Sequence, residues 1–376
     1  MKNVYYFTKK IYQFSQSKPI FSALGGTVLS STEFPITSLY YLMKNGPFRL
    51  RVCERSFKRL VDAVRGVVLC HSGDYVIPPA KNYRRVFVYH GTSDKVFDAK
   101  GPDNKLMANW FEYYFATGEK DLYKLRKYTF DPENLEGKIV KIGMFRSDPI
   151  LNKTYSVEKI LQKYHIEKKD DRKIILYAPT WSWGGGTLRE CFDTFAKEIT
   201  KYHTLIVRPH FNDKEGIRHM LEWQKNNRNK YLYIFRRQHE DVMDFIYISD
   251  LLIGDNSSVN YDFALTKKPI VLVDSCENKS LFIPPDEYNI KLCCPLYTEG
   301  RDNILDKIEE AFSNPIYRNR IERLVDRSFY FNDGHAVDRA CSFIVDTLDK
   351  MRLLDKEETL QKLKGKFTYV DRTEYE

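Results

Sequence analysis

Two histidines in this 376-residue chain follow predicted strands and could exchange protons with a substrate. His90 ends the apolar run that begins at residue 86, and Gly91 after it lets a substrate approach the backbone closely. His210 follows the apolar run at 204–207, with Arg208 two residues before it. An imidazole at a strand end can act as a general base, and an arginine fork suits a phosphate. The alternatives are a histidine that only packs at a strand end and a solvated Arg-His pair.

Two further strand ends lead into polar or glycine-rich turns. Residues 254–258 read Gly-Asp-Asn-Ser-Ser before a predicted helix, where Ser257, Ser258 and the backbone N–H groups of a helix start could bind an anion. An ordinary capped helix is the alternative. Residues 177–187 read Tyr-Ala-Pro-Thr-Trp-Ser-Trp-Gly-Gly-Gly-Thr, in which glycines allow close approach and tryptophans could cover a base or sugar. This run matches neither a Walker A loop nor a Rossmann fingerprint, and a flexible inter-domain loop is the alternative.

The elements that position these residues alternate short apolar runs with longer amphipathic ones, which is typical of βα units. Strands are predicted at 173–177, 204–207, 231–235, 251–253 and 269–273, with helices at 188–202, 214–226, 240–249 and 257–266. The strands are continuously apolar, which favours a parallel sheet covered on both faces. The first half predicts strands at 67–70, 85–89, 113–116 and 138–142, and helices close the chain at 301–313, 316–326 and 337–353.

This alternation predicts an α/β fold with two domains. We expect an N-terminal α/β domain at 1–165, a C-terminal α/β domain at 166–345 and a helical tail at 346–376, with the charged stretch at 158–173 as the connection. Two such domains facing a cleft bind ligands at the carboxyl ends of their strands.

Composition and net charge limit the classes of partner that the sequence predicts. Sixty Lys and Arg against 51 Asp and Glu give a net charge of +9, which favours anionic partners, and its spread along the chain gives no indication of nucleic acid. Seven cysteines without a CxxC pair predict a reducing compartment and no structural zinc. The sequence has no clear cluster of carboxylates that could bind Mg²⁺, so no metal or cofactor is expected.

Neither a signal peptide nor an apolar run of about 20 residues is present, which predicts a cytoplasmic protein. Basic and aromatic segments within the first 90 residues could contact the inner membrane face.

Taken in order, these motifs resemble the CDP-glycerol glycerophosphotransferase family, whose members build teichoic acids and related capsule polymers. The resemblance spans roughly residues 84–345 and rests on 89–95 (Tyr-His-Gly-Thr-Ser-Asp-Lys), 177–181, 208–210 (Arg-Pro-His) and 249–258. Residues 143–148 (Gly-Met-Phe-Arg-Ser-Asp) and 331–339 add support. The family usually has Trp-His-Gly-Thr-Pro-Leu-Lys, so Ser93 and Asp94 replace Pro-Leu here. Ser182 stands where an arginine is common, which leaves the donor open between CDP-glycerol and CDP-ribitol.

The resemblance implies a GT-B-like fold of two Rossmann-type domains, an acceptor-side domain first and a CDP-donor domain second. It also implies transfer of a polyol phosphate to the hydroxyl of a lipid-linked or polyol-phosphate saccharide acceptor, with release of CMP. His90 would be the base, and His210 a second catalytic residue at the pyrophosphate. The residues that would bind donor or substrate are Gly91, Thr92, Lys95, Arg146, Pro179, Thr180, Arg208, Asp255, Ser257 and Ser258.

Two other classes remain as alternatives at this point. A GT-B glycosyltransferase or nucleotide-sugar epimerase would use a sugar nucleotide on the same fold, because fold does not fix chemistry. A non-enzymatic scaffold would bind an anionic polymer or membrane through basic residues, namely Arg49, Arg51, Arg55, Lys58, Arg59, Arg84 and Arg85. The absence of a GxSxG elbow and of kinase signatures argues against hydrolase and kinase functions.

Overall fold

The computed structural model describes residues 1–8, 11–30, 49–52, 63–71, 79–88, 92–95, 105, 107–182, 185–237, 240–275 and 284–375. Its strands are β1 Val4–Thr8, β2 Thr27–Ser30, β3 Arg49–Val52, β4 Gly66–Cys70, β5 Tyr83–Phe87, β6 Tyr113–Ala116, β7 Ile139–Lys141, β8 Ile174–Tyr177, β9 Thr204–Val207, β10 Leu232–Ile234, β11 Leu251–Gly254, β12 Ile270–Val273 and β13 Leu296–Tyr297. Its α-helices are α1 Ile11–Leu24, α2 Glu119–Tyr128, α3 Asp148–Leu151, α4 Val157–Tyr164, α5 Leu188–Tyr202, α6 Lys214–Asn226, α7 Val242–Ile248, α8 Val259–Ala264, α9 Ile304–Ser313, α10 Pro315–Ser328, α11 Ala336–Lys350 and α12 Lys356–Lys362.

The strands form two parallel sheets. The first has the order β3-β2-β1-β4-β5-β6-β7 and the second the order β10-β9-β8-β11-β12-β13. In both, the chain moves outward from a central strand in one direction, returns, and then moves outward in the other. This is the doubly wound order, whose switch point lies between β1 and β4 in the first sheet and between β8 and β11 in the second. The predicted α/β class with two parallel sheets is confirmed.

The chain divides into two compact units. Unit 1 comprises Met1–His90, Phe97–Asp148 and Phe329–Glu376, and unit 2 comprises Gly91–Val96 and Pro149–Ser328. These bounds differ from the expected domains mainly at the C-terminus, because α11 packs its apolar side, including Phe343, Ile344 and Leu348, into the core of the first sheet. Leu363 and Tyr375, in the expected tail, lie in that same core. The C-terminal residues therefore complete unit 1.

Unit 2 has its core between the second sheet and helices such as α5. Val207 and Ile253, from the sheet, pack with Phe192 and Phe195 of α5, and all four side chains are fully buried. Burial on this scale is the main driving force for the unit. The stretch at 158–173, expected as a connection, begins with α4, whose N-cap Ser156 accepts a hydrogen bond from the Lys159 backbone N–H. Helix α4 is thus part of unit 2.

Aromatic residues of the first 90, and the basic residue Arg85, are buried in unit 1. Tyr6 in β1 and Tyr83 in β5 are fully buried. Arg85 is only 2% exposed and forms a bidentate ion pair with Glu112 (2.7 and 3.1 Å). Arg85 therefore cannot contribute to a membrane-facing or polymer-binding patch, and that part of the expectation is wrong. Among the described helices, none combines the length and the apolar character that a membrane crossing requires.

Candidate functional site

The switch point of the second sheet is flanked by two of the motifs found in the sequence. Residues 178–182 leave the carboxyl end of β8, and Asp255 leaves the carboxyl end of the neighbouring strand β11. Loops that diverge at such a point leave a crevice outside the strand ends, which is where doubly wound sheets bind ligands. The topology thus supports the prediction that these two motifs form one site.

Asp255 holds the loop after β8 in place. Its carboxylate accepts hydrogen bonds from the backbone N–H of Thr180 (2.9 and 3.1 Å) and from the backbone N–H and hydroxyl of Thr187 (3.1 and 3.2 Å). Thr180 and Thr187 begin and end the glycine-rich loop, so one carboxylate ties together both ends. The Thr187 hydroxyl is also bonded to the hydroxyl of Tyr177 in β8 (2.9 Å). Tyr177 and Thr187 are the first and last residues of the motif at 177–187, but they were not among the predicted site residues.

The glycine-rich loop also folds back on its own start. The backbone N–H of Gly186 donates to the carbonyl of Trp181 (3.1 Å), and a Cβ on Gly186 would lie 2.3 Å from the Thr180 carbonyl oxygen. Only glycine permits this approach. The described part of this loop is therefore an ordered turn beside β11.

Three predicted donor-binding residues form one contiguous cluster. The Lys95 ammonium donates to the Thr180 hydroxyl oxygen (2.5 Å), and Thr180 in turn donates its N–H to Asp255. Burial raises the pKa of Asp255 to about 6, while the Thr180 N–H and the Lys95 charge act in the opposite direction. Thr180 is buried, whereas Lys95 is half-buried and supplies a positive charge beside the switch point. Within the cluster, the Lys95 ammonium is the group that favours an anionic ligand.

His210 is held in a stack of rings. Its imidazole lies parallel to the indole of Trp181 (6.0 Å between centroids, 17°) and to the ring of Phe211 (4.7 Å, 24°). The backbone N–H of Asn212 donates to Nδ1 of His210 (3.2 Å), so the neutral ring carries its proton on Nε2. Trp181 follows Thr180 directly, which brings His210 close to the Asp255 cluster. The neutral imidazole can therefore present an N–H donor.

Arg208 has a different set of partners from those expected. Its guanidinium donates to four backbone carbonyls, those of Pro209, Phe235, Arg237 and Glu240 (3.0–3.2 Å). These bonds use all four terminal N–H groups of the side chain. In this structure the guanidinium of Arg208 fixes the loop after β10, and direct contact with a phosphate stays a prediction.

Ser257 and Ser258 lie at the start of α8, as predicted. The Ser257 hydroxyl accepts from the Val259 N–H (3.3 Å), and Ser258 is the N-cap without a side-chain capping bond. The turn before them is tight, because a Cβ on Gly254 would lie 2.0 Å from Oδ1 of Asn260. The helix start is therefore fixed close to Asp255.

Arg146 lies in unit 1, whereas the cluster around Asp255 belongs to unit 2. It is buried and follows a turn at Gly143, whose φ is +86°. Two residues later, the Asp148 carboxylate accepts from the Val337 backbone N–H (2.7 Å) and so caps α11. The motifs at 143–148 and 331–339, which are far apart in sequence, thus meet in unit 1.

Four predicted site residues remain, and the structure describes two of them. Thr92 and Pro179 are buried, whereas His90 and Gly91 lie outside the described residues. Within the described part of the chain, no three His, Cys, Asp or Glu side chains are grouped so that they could hold a metal ion.

A family model and several known proteins match a large part of this chain. The family model for CDP-glycerol:poly(glycerophosphate) glycerophosphotransferases matches residues 80–346. The teichoic acid ribitol-phosphate polymerase TarK of Staphylococcus aureus is 24% identical over 219 residues, which are 54% of this chain and 40% of TarK. A teichoic acid poly(glycerol phosphate) polymerase of Bacillus spizizenii is 27% identical over 214 residues, 52% of each chain. The matched part of the chain thus spans about half or less of these relatives.

The structure of the wall teichoic acid polymerase TagF has the same fold. It superposes with a TM-score of 0.66, covering 93% of this chain and 90% of the other at 18% identity. At that identity the likeness shows the fold alone. The family match is independent of it and includes both strand ends of the cluster around Asp255. The chain belongs to the CDP-glycerol:poly(glycerophosphate) glycerophosphotransferase family.

Proposed function

We propose that this protein transfers glycerol phosphate, or a related polyol phosphate, from a CDP-linked donor to an acceptor hydroxyl and releases CMP. The observation that carries the proposal is the cluster of Lys95, Thr180 and Asp255 at the switch point, in a chain of this family. It supplies a positive charge and an ordered loop where a pyrophosphate would bind. The polymer would be a teichoic acid or a capsule polymer of similar chemistry.

In the proposed mechanism His90 is the general base. The acceptor oxygen attacks the donor phosphorus that carries the polyol, and His90 takes the hydroxyl proton. The bond from that phosphorus to the bridging oxygen breaks, and the electron pair leaves with CMP. Negative charge therefore develops on the CMP phosphate.

The residues around the switch point would stabilise that leaving group. The proton on Nε2 of neutral His210 can form a hydrogen bond to a phosphate oxygen, and Lys95 adds a positive charge. Ser257 and Ser258 are proposed to contact the donor. Thr92 and Pro179, which are close in sequence to Lys95 and Thr180, are proposed donor contacts as well. Arg208 would act by holding the loop after β10. Arg146 is proposed to bind substrate from unit 1, together with Gly91 after the base.

The finer fold assignment is also a proposal. We infer a GT-B-like enzyme whose donor binds in a cleft between two Rossmann-type units, since the TagF structure with a similar fold was also obtained after soaking with CDPG. The sugar-nucleotide alternative is not favoured, because the family model that matches is that of the glycerophosphotransferases.

The acceptor and location are proposed from charge and family. We propose a lipid-linked or polyol-phosphate saccharide acceptor, met at the cytoplasmic face of the membrane, since a net charge of +9 favours anionic surfaces. Liposome sedimentation tests the membrane part: binding at low salt that is lost at high salt is expected. No sedimentation with anionic liposomes at low salt would remove it.

The test of the reaction is CMP release from CDP-glycerol and, in parallel, CDP-ribitol, with a short polyol-phosphate acceptor. We expect acceptor-dependent CMP from one of them. Replacing the general base in His90→Ala should lower turnover by about 10²–10⁴-fold and leave donor affinity nearly unchanged. Near-normal turnover in His90→Ala would refute the role given to His90, and UDP release from a UDP-sugar would support the alternative.

A further inference from the structure

The segment at residues 92–95 is grouped with unit 2 and is anchored there by a buried tyrosine. The hydroxyl of Tyr261 lies 2.9 and 3.0 Å from the two carboxylate oxygens of Asp94, and 2.9 Å from the carbonyl oxygen of Tyr288. Burial, aided by the Asp94 carboxylate, raises the pKa of Tyr261 well above its ordinary value, so the hydroxyl remains a donor. A hydrogen bond to a charged acceptor is among the stronger ones in proteins.

The tyrosine belongs to the helix that begins at the proposed donor site. Tyr261 is the third residue of α8, which Ser258 caps, and its side chain is only 1% exposed. The next residue after Asp94 is Lys95, whose ammonium reaches Thr180. Two consecutive side chains of the segment are therefore attached to the elements that follow the two switch-point strands, Asp94 to helix α8 and Lys95 to the loop after β8. Such attachment fixes the backbone of residues 92–95.

The contact between Tyr261 and this segment depends on the Asp94 carboxylate, because an apolar side chain such as leucine cannot accept a hydrogen bond.

We propose that Asp94 and Tyr261 are positioning residues that fix residues 92–95 within unit 2 and thereby hold Lys95 beside Thr180 at the proposed donor site. The inference rests on the proposed function for the role of Lys95 at the leaving group, whereas the anchoring itself does not. The two parts can be tested separately.

The first test measures anchoring without any substrate. Amide hydrogen exchange, followed by mass spectrometry of peptides that include residues 92–95, compares the full-length protein with Tyr261→Phe. Loss of the hydroxyl should speed exchange in this segment about tenfold, because opening no longer breaks a charge-assisted bond. Tyr297→Phe is the matched control: Tyr297 is equally buried in unit 2, and its hydroxyl donates to Glu299 (2.6 Å). It should leave exchange of residues 92–95 unchanged.

The second test measures turnover. Tyr261→Phe should lower kcat for CMP release about tenfold with the donor KM within twofold, since the change removes one bond of the segment and no proposed donor contact. Asp94→Leu should have the same effect, and it provides a second route if Tyr261→Phe folds poorly. The double variant should be no worse than either single one, because both remove the same bond.

The outcomes separate the two claims. Unchanged exchange in both Tyr261→Phe and Asp94→Leu would overturn the anchoring. Faster exchange with normal kcat would overturn the positioning role. If the parent protein releases no CMP from either donor, the proposed function fails and the positioning role with it, while exchange still decides the anchoring.

Discussion

The buried ion pair between Arg85 and Glu112 gives the sharpest test of the energetics of unit 1. Arg85 lies in β5, three residues before Val88 at the end of the described segment that leads towards His90. Its guanidinium is 2% exposed and donates two hydrogen bonds to Glu112, which also accepts from the Arg85 backbone N–H (2.7 Å). We predict that Glu112→Ala strongly destabilises the protein.

The magnitude follows from burial. Removing one partner of a buried pair costs about 3–5 kcal/mol, because the remaining charge is left without compensation in a poorly solvated site. Glu112 is 31% exposed, so water can enter the space it leaves and reduce the loss to about 2–4 kcal/mol. Glu112→Gln keeps one oxygen acceptor and should cost roughly half as much.

Unit 1 also contains a matched control. Arg126 and Glu136 form an ion pair with the same bidentate geometry (2.7 and 3.0 Å), but their side chains are 49% and 56% exposed. Glu136→Ala should cost about 0–1 kcal/mol. Urea unfolding of both variants, followed by circular dichroism, measures the two differences. Equal losses of unfolding free energy would refute the argument that burial sets the value of the pair.

Three further predictions concern other parts of the molecule. Gly254→Ala would place a Cβ 2.0 Å from Oδ1 of Asn260 and should cost about 1–3 kcal/mol and most CMP release, whereas Gly137→Ala, whose Cβ would meet no atom within 4 Å, should change the thermal midpoint little. Burial raises the pKa of Asp148 from 3.8 to about 7, so its contribution to stability is present below about pH 4 and lost as pH rises to 7. The unfolding free energy of the parent protein should therefore fall between pH 4 and 8, and Asp148→Asn should reduce that fall by up to roughly 2–4 kcal/mol. An equal fall in both proteins would contradict the inference that burial raises the pKa of Asp148. His210→Ala should lower kcat for CMP release about 10²–10³-fold without a matching loss of stability, and normal kcat would remove His210 from the mechanism.

Much of the fold could be predicted from the sequence where strands are continuously apolar. The bounds 204–207, 188–202 and 214–226 agree with β9, α5 and α6. The strand is a short, largely apolar run, and the two helices combine a helical hydrophobic period with an acidic residue in the first turn and a lysine in the last. In unit 1 the prediction missed β1, β2, β3, α1 and α2. Their residues are rich in aromatic and polar types, and Pro19 lies within α1, so local pattern gave little indication of helix or strand. Tertiary burial decides these elements.

The site was partly predictable for a similar reason. Residue type and position after a strand identified Asp255 and Thr180, since parallel strands bring their carboxyl ends to one edge. The supporting roles of Thr187, Tyr177 and Tyr261 could not be predicted, because these side chains look like ordinary core or loop residues in the sequence. The direction of Arg208 depends on the path of the loop after β10, which no local spacing specifies. Side-chain identity therefore located the site, and folding determined which groups support it.

The most direct test of the central claim is CMP formation by the full-length protein from CDP-glycerol and CDP-ribitol, measured with and without a polyol-phosphate acceptor. We expect CMP from at least one donor, with formation that depends on the acceptor and is lost in His90→Ala. No CMP from either donor, with folded protein and acceptor present, would contradict the central claim.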